Sequence, residues 1–151
     1  MIPRRPLLLA GLAAPLPALA ADAAFQLITP EEARAGRDDG GPIRRSLGDN
    51  TLPRIEIVEP REAPTIPTPV TIRLRFQPAP DAPLDPSSFR ATYGALGLDI
   101  TDRLLRQARL DATGLLVENA GIPAGSHRVT LRIADRAGRR AERTYRYTDA
   151  G

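Results

Sequence analysis

The segment 122–148, IPAGSHRVTLRIADRAGRRAERTYRYT, restricts the possible folds more than any other stretch. Val129, Leu131 and Ile133 alternate in it with Arg128, Thr130, Arg132 and Ala134. A period of two over this length marks a half-buried strand, whose successive side chains point to opposite faces. On a helix Val129 and Leu131 would stand about 200° apart and share no apolar stripe. Pro123 and Gly125 ahead of the strand supply a turn, Pro by fixing φ and Gly by admitting φ > 0. Asp135-Arg136-Ala137-Gly138 then breaks the alternation. Asp accepts bonds from the backbone ahead of it and Gly takes the left-handed conformation, so a short hairpin loop is expected. The chain resumes with Arg143, Tyr145 and Tyr147 on one side and Glu142, Thr144 and Arg146 on the other. The two tyrosines are expected to face the core with their hydroxyls at its rim.

The same period recurs upstream. Residues 54–58 place Ile55 and Ile57 inward and are stopped by Glu59-Pro60. The Pro-rich run to Pro69 suits a crossing between sheets, because Pro is barred from central strands. In 70–76, Val70, Ile72, Leu74 and Phe76 point one way and Thr71, Arg73 and Arg75 the other. Residues 78–86 read as a loop rich in Pro and Asp. Phe89, Ala91 and Tyr93 turn inward again, with Arg90 and Thr92 outward and a turn at 94–97. After a cap at Asp99 or Thr101, Ile100, Leu104, Leu105 and Ala108 share a stripe opposite Arg103, Arg106 and Gln107, which fits a short helix. The alternative is a strand through Leu98 and Ile100 followed by a helical turn. Leu115 and Val117 alternate with Leu116 and Glu118 in a further strand, expected near a sheet edge. Six or seven short strands with turn signals between them indicate a β-sandwich.

The run from Pro123 to Gly138, P-x-G-x-H-x-V-x-L-x-I-x-D-x-x-G, resembles the last hairpin of bacterial immunoglobulin-like domains, and the likeness extends loosely over 53–148. It implies an all-β fold: an Ig-like antiparallel β-sandwich of about seven strands, with a short N-terminal helix and one short inter-strand helix. The group usually carries Asn after that glycine, where this chain has Arg139. Cys and Trp are absent, so the disulfide-centred core of antibody domains is not available. The fold serves many roles and says little about activity.

Residues 1–20 read as a signal peptide. Arg4 and Arg5 form a positive start, an apolar stretch too short to span a bilayer follows, and Ala18-Leu19-Ala20 offers a cleavage site. The expected location is therefore the periplasm or the exterior, by the general secretory route or, less closely matched, the twin-arginine route. Three segments are expected: the signal at 1–20, a short helix and flexible linker at 21–52, and the sandwich at 53–149. In the second, Thr29-Pro30-Glu31-Glu32 forms a capping box with Pro at the first helical position, and Gly36 ends the helix. Glu31 and Glu32 as a catalytic pair compete with this simpler role at a helix start.

Composition narrows the function. All 21 basic side chains are Arg, and aromatics make up 4%. The net charge of +3 falls to +1 without Arg4 and Arg5. With neither a concentrated basic stripe nor stacking aromatics, nucleic-acid binding is not expected. The single His, His127, adjoins Ser126, but neighbours on a strand face opposite ways, and no Ser sits in a G-x-S-x-G setting. The mature chain holds too few His, Met and Cys for a copper site. Asp38, Asp39 and Asp49 are candidate calcium ligands but lack the longer acidic spacing closed by a Glu, and Asp99, Asp102 and Asp135 are a second candidate set whose competing role is as cap and turn residues.

The outward arginines Arg73, Arg75, Arg128, Arg132 and Arg146 are the candidate interaction surface. Guanidinium forks suit carboxylates and phosphates. The competing role is cross-strand pairing with Glu56, Glu118 and Glu142. The expectation is a non-enzymatic, monomeric module that binds an envelope protein or polymer, with no catalytic residues, no cofactor and no membrane span after processing. The alternatives are a small calcium, copper or ligand carrier and an accessory domain of an envelope enzyme.

Overall fold

The computed structural model describes residues 25–36, 51–61 and 65–149. The expected signal peptide, Asp38, Asp39 and Asp49 lie outside them. Among the described residues nine strands form two sheets: β1 (Phe25–Gln26), β2 (Arg54–Glu59), β3 (Val70–Gln77), β4 (Leu84–Tyr93), β5 (Leu98–Asp99), β6 (Ala108–Leu110), β7 (Gly114–Gly121), β8 (Gly125–Asp135) and β9 (Arg140–Asp149). Helix α1 (Pro30–Ala35) follows β1, and α2 (Thr101–Leu105) follows β5. The first sheet has the order β1-β7-β3-β2, with β6 also on β7; the second is β5-β4-β8-β9. The fold is an all-β sandwich. Six of these strands, β2, β3, β4, β7, β8 and β9, are the alternating runs of the sequence; β1, β5 and β6 are too short to carry a period of two and take the count above the expected seven.

The alternation read from the sequence gives the core. Leu74 and Phe76 from the first sheet meet Phe89, Ala91, Tyr93, Leu131 and Ile133 from the second, all buried. The Phe76 and Phe89 rings, one from each sheet, lie 5.9 Å apart. Tyr145 and Tyr147 face inward as expected, and the Tyr145 hydroxyl donates to the Pro60 carbonyl at 3.3 Å.

The β8–β9 hairpin pairs without a break from Gly125↔Asp149 to Ala134↔Arg140. Its loop is closed by Asp135. One carboxylate oxygen accepts the N–H groups of Ala137 and Arg139 at 3.0 and 2.9 Å, and the other accepts Arg139 Nε at 2.8 Å. Gly138 supplies the positive φ of 83°. Arg139 continues to Asp81 at 2.6 Å and to the Thr51 carbonyl at 3.1 Å. The residue that departs from the resemblance thus ties the hairpin to the approach to β2 and to the loop before β4.

β7 itself lies near an edge, as expected: it pairs with β3 on one side and with the short edge strands β1 and β6 on the other. A bulge explains its weak alternation. Val70 pairs with Ala120 but Ile72 with Val117, and Asn119 takes φ 56°. Three local expectations are corrected. The loop at 78–86 is shorter than expected, because β4 starts at Leu84. Pro86 is tolerated there by a register break between Asp85 and Arg90, where Ser88 Oγ accepts the Ala134 N–H at 2.8 Å. Helix α2 stops at Leu105, and Ala108 belongs to β6; the strand alternative holds for Leu98. Asp99 accepts the Thr101 N–H at 2.8 Å from outside the helix, while Ile100 occupies the cap position. Finally, β1 runs parallel to β7, so the sandwich is not wholly antiparallel.

The capping box of α1 forms as expected: Glu32 N–H donates to Thr29 Oγ1 at 3.2 Å and Thr29 N–H to Glu32 Oε2 at 2.9 Å. This segment packs on the sandwich. Leu27 and Ile28 belong to the same buried core, and Leu27 N–H donates to the Gly121 carbonyl at 2.9 Å. Glu32 binds Arg103 of α2 through both oxygens, at 2.6 and 2.8 Å. A carboxylate in this setting is structural, and Arg103 lowers its pKa from 4.5 to about 2.

Candidate interaction surface

The outer face of the second sheet follows from strand register. Phe89, Ala91 and Tyr93 on β4 and Leu131 and Ile133 on β8 point into the core, so Arg90, Thr92, Arg128, Thr130 and Arg132 point away from it. Arg90 sits directly opposite Arg132, and Arg132 opposite Glu142 on β9. The next row runs Asp99, Thr92, Thr130, Thr144 across all four strands. In the third row Arg128 stands opposite Arg146. Two arginine rows therefore bracket a threonine row. With Arg140 and Asp85, which both stand opposite Ala134, five guanidinium groups share this face with Asp85, Asp99 and Glu142.

The contacts within the face are polar. Arg132 Nε donates to Glu142 at 2.6 Å. Arg90 turns to the carbonyls of Ser87 and Phe89, at 3.1 and 2.6 Å. Thr130 and Thr144 share a hydroxyl bond of 3.1 Å. Bonds from Thr101 hold the Asp99 carboxyl below its ordinary range, with a smaller contribution from the Arg90 charge.

The five arginines singled out from the sequence do not form one surface. Arg128, Arg132 and Arg146 share this face, but Arg73 and Arg75 lie on β3, on the outer face of the first sheet. There Arg73 approaches Glu59 at 3.8 Å and Arg75 approaches Glu56 at 3.5 Å. Arg73, Leu116 and Arg109 form one row across β3, β7 and β6. They line an open groove of about 540 Å³ together with Arg75, Asp111 and Val58. Glu56, Glu59 and Asp111 balance its three arginines, so its pull on an anion is the weaker. The expected cross-strand pairing is met by Glu56 and Glu142; Glu118 pairs with none of the five.

No family model matches the chain, and no curated protein sequence matches it. Two solved structures resemble it in backbone course. CopC from Methylosinus trichosporium OB3b is 17% identical, with 63% of this chain and 92% of CopC covered and a TM-score of 0.42. The endo-β-1,4-mannanase from Thermotoga petrophila is 13% identical, with 68% of this chain and 21% of the mannanase covered and a TM-score of 0.46. Likeness at this level carries no argument about function.

His127 is 1% exposed at the start of β8. Its Nε2 lies 2.7 Å from the Pro123 carbonyl, which can only accept, so the ring proton is on Nε2. Nδ1, 2.7 Å from the Tyr93 hydroxyl, is then the acceptor. The ring also stacks on Tyr147 at 5.2 Å between centroids. Burial lowers its pKa below 6.5, against smaller opposing effects from the Pro123 bond and Asp149. A groove of about 510 Å³ between α1 and the turn before β8 reaches this site. Both imidazole nitrogens are committed, and Ser126 is exposed near Thr148 rather than beside the ring. The arrangement holds a turn in place and offers no nucleophile–base pair.

The calcium candidates do not converge either. Asp135 pairs with Leu84 at the start of β4, whereas Asp99 pairs with Thr92, which stands opposite Thr130, five residues or about 17 Å along β8 from Asp135. Among the described residues no three His, Cys, Asp or Glu side chains form a metal-sized group, and no helix is long and apolar enough to cross a membrane.

Sequence reasoning missed Arg90 and the three threonines as members of this surface. Arg90 was legible as outward-facing. Its position opposite Arg132 depends on the break between Asp85 and Arg90, which no local pattern announces.

Proposed function

We propose that the chain is an exported, non-catalytic, immunoglobulin-like module that binds an acidic partner of the cell envelope through the outer face of its second sheet. The observation that carries this reading is the placement of Arg128 opposite Arg146 and of Arg90 opposite Arg132. Like charges in directly opposed positions cost stability. Carboxylates or phosphates of a partner would add acceptors to this arginine-rich face and meet donors arranged in forks. The fully bonded interior position of His127 supports a binding role over a catalytic one.

The test compares capture from envelope extract by the processed protein and by an Arg128→Glu, Arg146→Glu variant that retains its circular dichroism spectrum. A saturable partner, weakened by salt and lost with the variant, is expected. Equal capture by both proteins refutes the assignment of this face. Recovery of the tagged full chain from the cytoplasm alone refutes export.

A further inference from the structure

We infer that His127 is a proton-operated latch on helix α1: when the imidazole takes up a second ring proton, the Gly36 end of α1 lifts from the sandwich while both sheets stay paired. Three contacts join the ring to that helix end. The Tyr93 hydroxyl lies 2.7 Å from His127 Nδ1. The Tyr93 ring lies against Gly36, so closely that a methyl group on Gly36 would stand 2.8 Å from Cε1. The Gly36 backbone in turn packs on Gly94, where a methyl group would meet Gly36 Cα at 2.7 Å. His127 and Tyr93 are each 1% exposed, and Gly36 is buried.

Protonation upsets this arrangement in two ways. The neutral ring donates from Nε2 to the Pro123 carbonyl and accepts the Tyr93 hydroxyl at Nδ1. The charged ring donates at both nitrogens. The Tyr93 hydroxyl proton must then turn away, and among the described residues that hydroxyl has no other partner. A positive charge is also held in a site closed to water. Of the groups around the ring, Tyr93 on β4 and Tyr147 on β9 are kept neutral by burial. Asp149 on β9 favours the charged ring, but burial of the ring outweighs it. From α1, Arg34 lines the groove of about 510 Å³ that reaches His127 and adds a like charge. Both costs fall once water enters. The cover that yields is α1, because none of its residues is buried, whereas β8 and β9 pair without a break from Gly125 to Ala134. Glu32 titrates at about 2, so its pair with Arg103 stays charged throughout the His127 range and serves as the pivot.

The chain's single His gives one imidazole resonance, so NMR follows its titration directly. Hydrogen exchange follows the amides of Ala33 and Gly36, which donate to the Thr29 and Glu32 carbonyls. After allowance for the intrinsic pH dependence of exchange, protection of these two amides should fall about tenfold with the same midpoint as the imidazole resonance, the change that one pKa unit between latched and lifted states drives. The β8–β9 amides should keep their protection. Gly36→Ala forces the helix end off Tyr93 at every pH, and linkage then requires the His127 midpoint to rise toward 6.5. Unchanged protection of Ala33 and Gly36 across the His127 titration overturns the latch. So does an unchanged His127 midpoint in Gly36→Ala once its Ala33 amide exchanges freely. Loss of β8–β9 protection in the same step also overturns it, because the whole sandwich is then opening.

Discussion

Arg103 grips both carboxylate oxygens of Glu32, at 2.6 and 2.8 Å, across 71 residues of chain. The same guanidinium donates to the Leu27 carbonyl at 2.9 Å, so one side chain fastens the segment before β2 to the helix between β5 and β6. Charge-assisted, bidentate bonds of this kind are among the stronger ones in proteins. Arg103→Ala should destabilise the fold by about 2 kcal/mol and Glu32→Gln by about 1 kcal/mol. The double substitution should cost little more than Arg103→Ala alone, as measured by urea unfolding. Full additivity would show that the two residues act independently.

The same pair sets an acid limit. The Glu32 carboxyl titrates at about 2 in the folded chain against 4.5 as the reference value. The unfolded chain therefore binds more protons between these values. The contribution of the pair is complete above pH 4.5 and declines as the pH falls toward 2. Glu32→Gln should show a shallower loss of stability across that window.

His127 acts in a higher window. Its folded pKa lies below 6.5, so the stability gained by burying the neutral ring is present above 6.5 and falls as the pH drops toward the folded value. His127→Gln should lose overall stability and flatten the slope just below pH 6.5. Tyr93→Phe removes the hydroxyl that Nδ1 accepts from and should cost about 1–3 kcal/mol in thermal or urea unfolding.

Arg139 is the main support of a carboxylate whose side chain is fully buried. Arg139→Ala should destabilise the protein by about 3 kcal/mol, because Asp135 is left as a buried charge without its cation. Arg139→Asn, the residue expected at this position from the resemblance to immunoglobulin-like domains, should recover only part of that loss, since it cannot reach Asp81 and Thr51 together. Melting temperatures of the three proteins decide this.

An apolar cavity of about 50 Å³ lies in the core beside Val129, Ile122, Leu104 and Tyr145. Unfilled volume of this kind costs about 24 cal/mol per Å³. Val129→Ile should raise stability by about 0.5–1 kcal/mol, seen as a higher melting temperature. A lower melting temperature would mean that the added methyl strains its neighbours rather than filling the space.

Arg146→Glu separates stability from binding. It turns the Arg128–Arg146 opposition into an opposite-charge pair and should stabilise the sheet by about 0.5 kcal/mol while weakening capture of the acidic partner. Loss of both stability and binding would point to a structural role for Arg146.

What the chain determines by itself is local. The alternation around Leu74, Phe89 and Leu131, the capping box at Thr29 and the turn at Asp135 depend on neighbours a few residues away, and each was legible before any tertiary contact was known. The tertiary structure alone decided which distant residues meet. The bulge at Asn119 and the register break after Asp85 shift pairing by amounts that no periodicity encodes. The break after Asp85 puts Arg90 opposite Arg132, pairing with β1 and β6 covers the outer side of β7, and packing of the two sheets sent Arg73 and Arg75 to the face away from Arg128. The physical reason is that side-chain direction repeats every two residues along any strand, whereas register depends on the energy of the whole ladder and on where the loops allow it to begin.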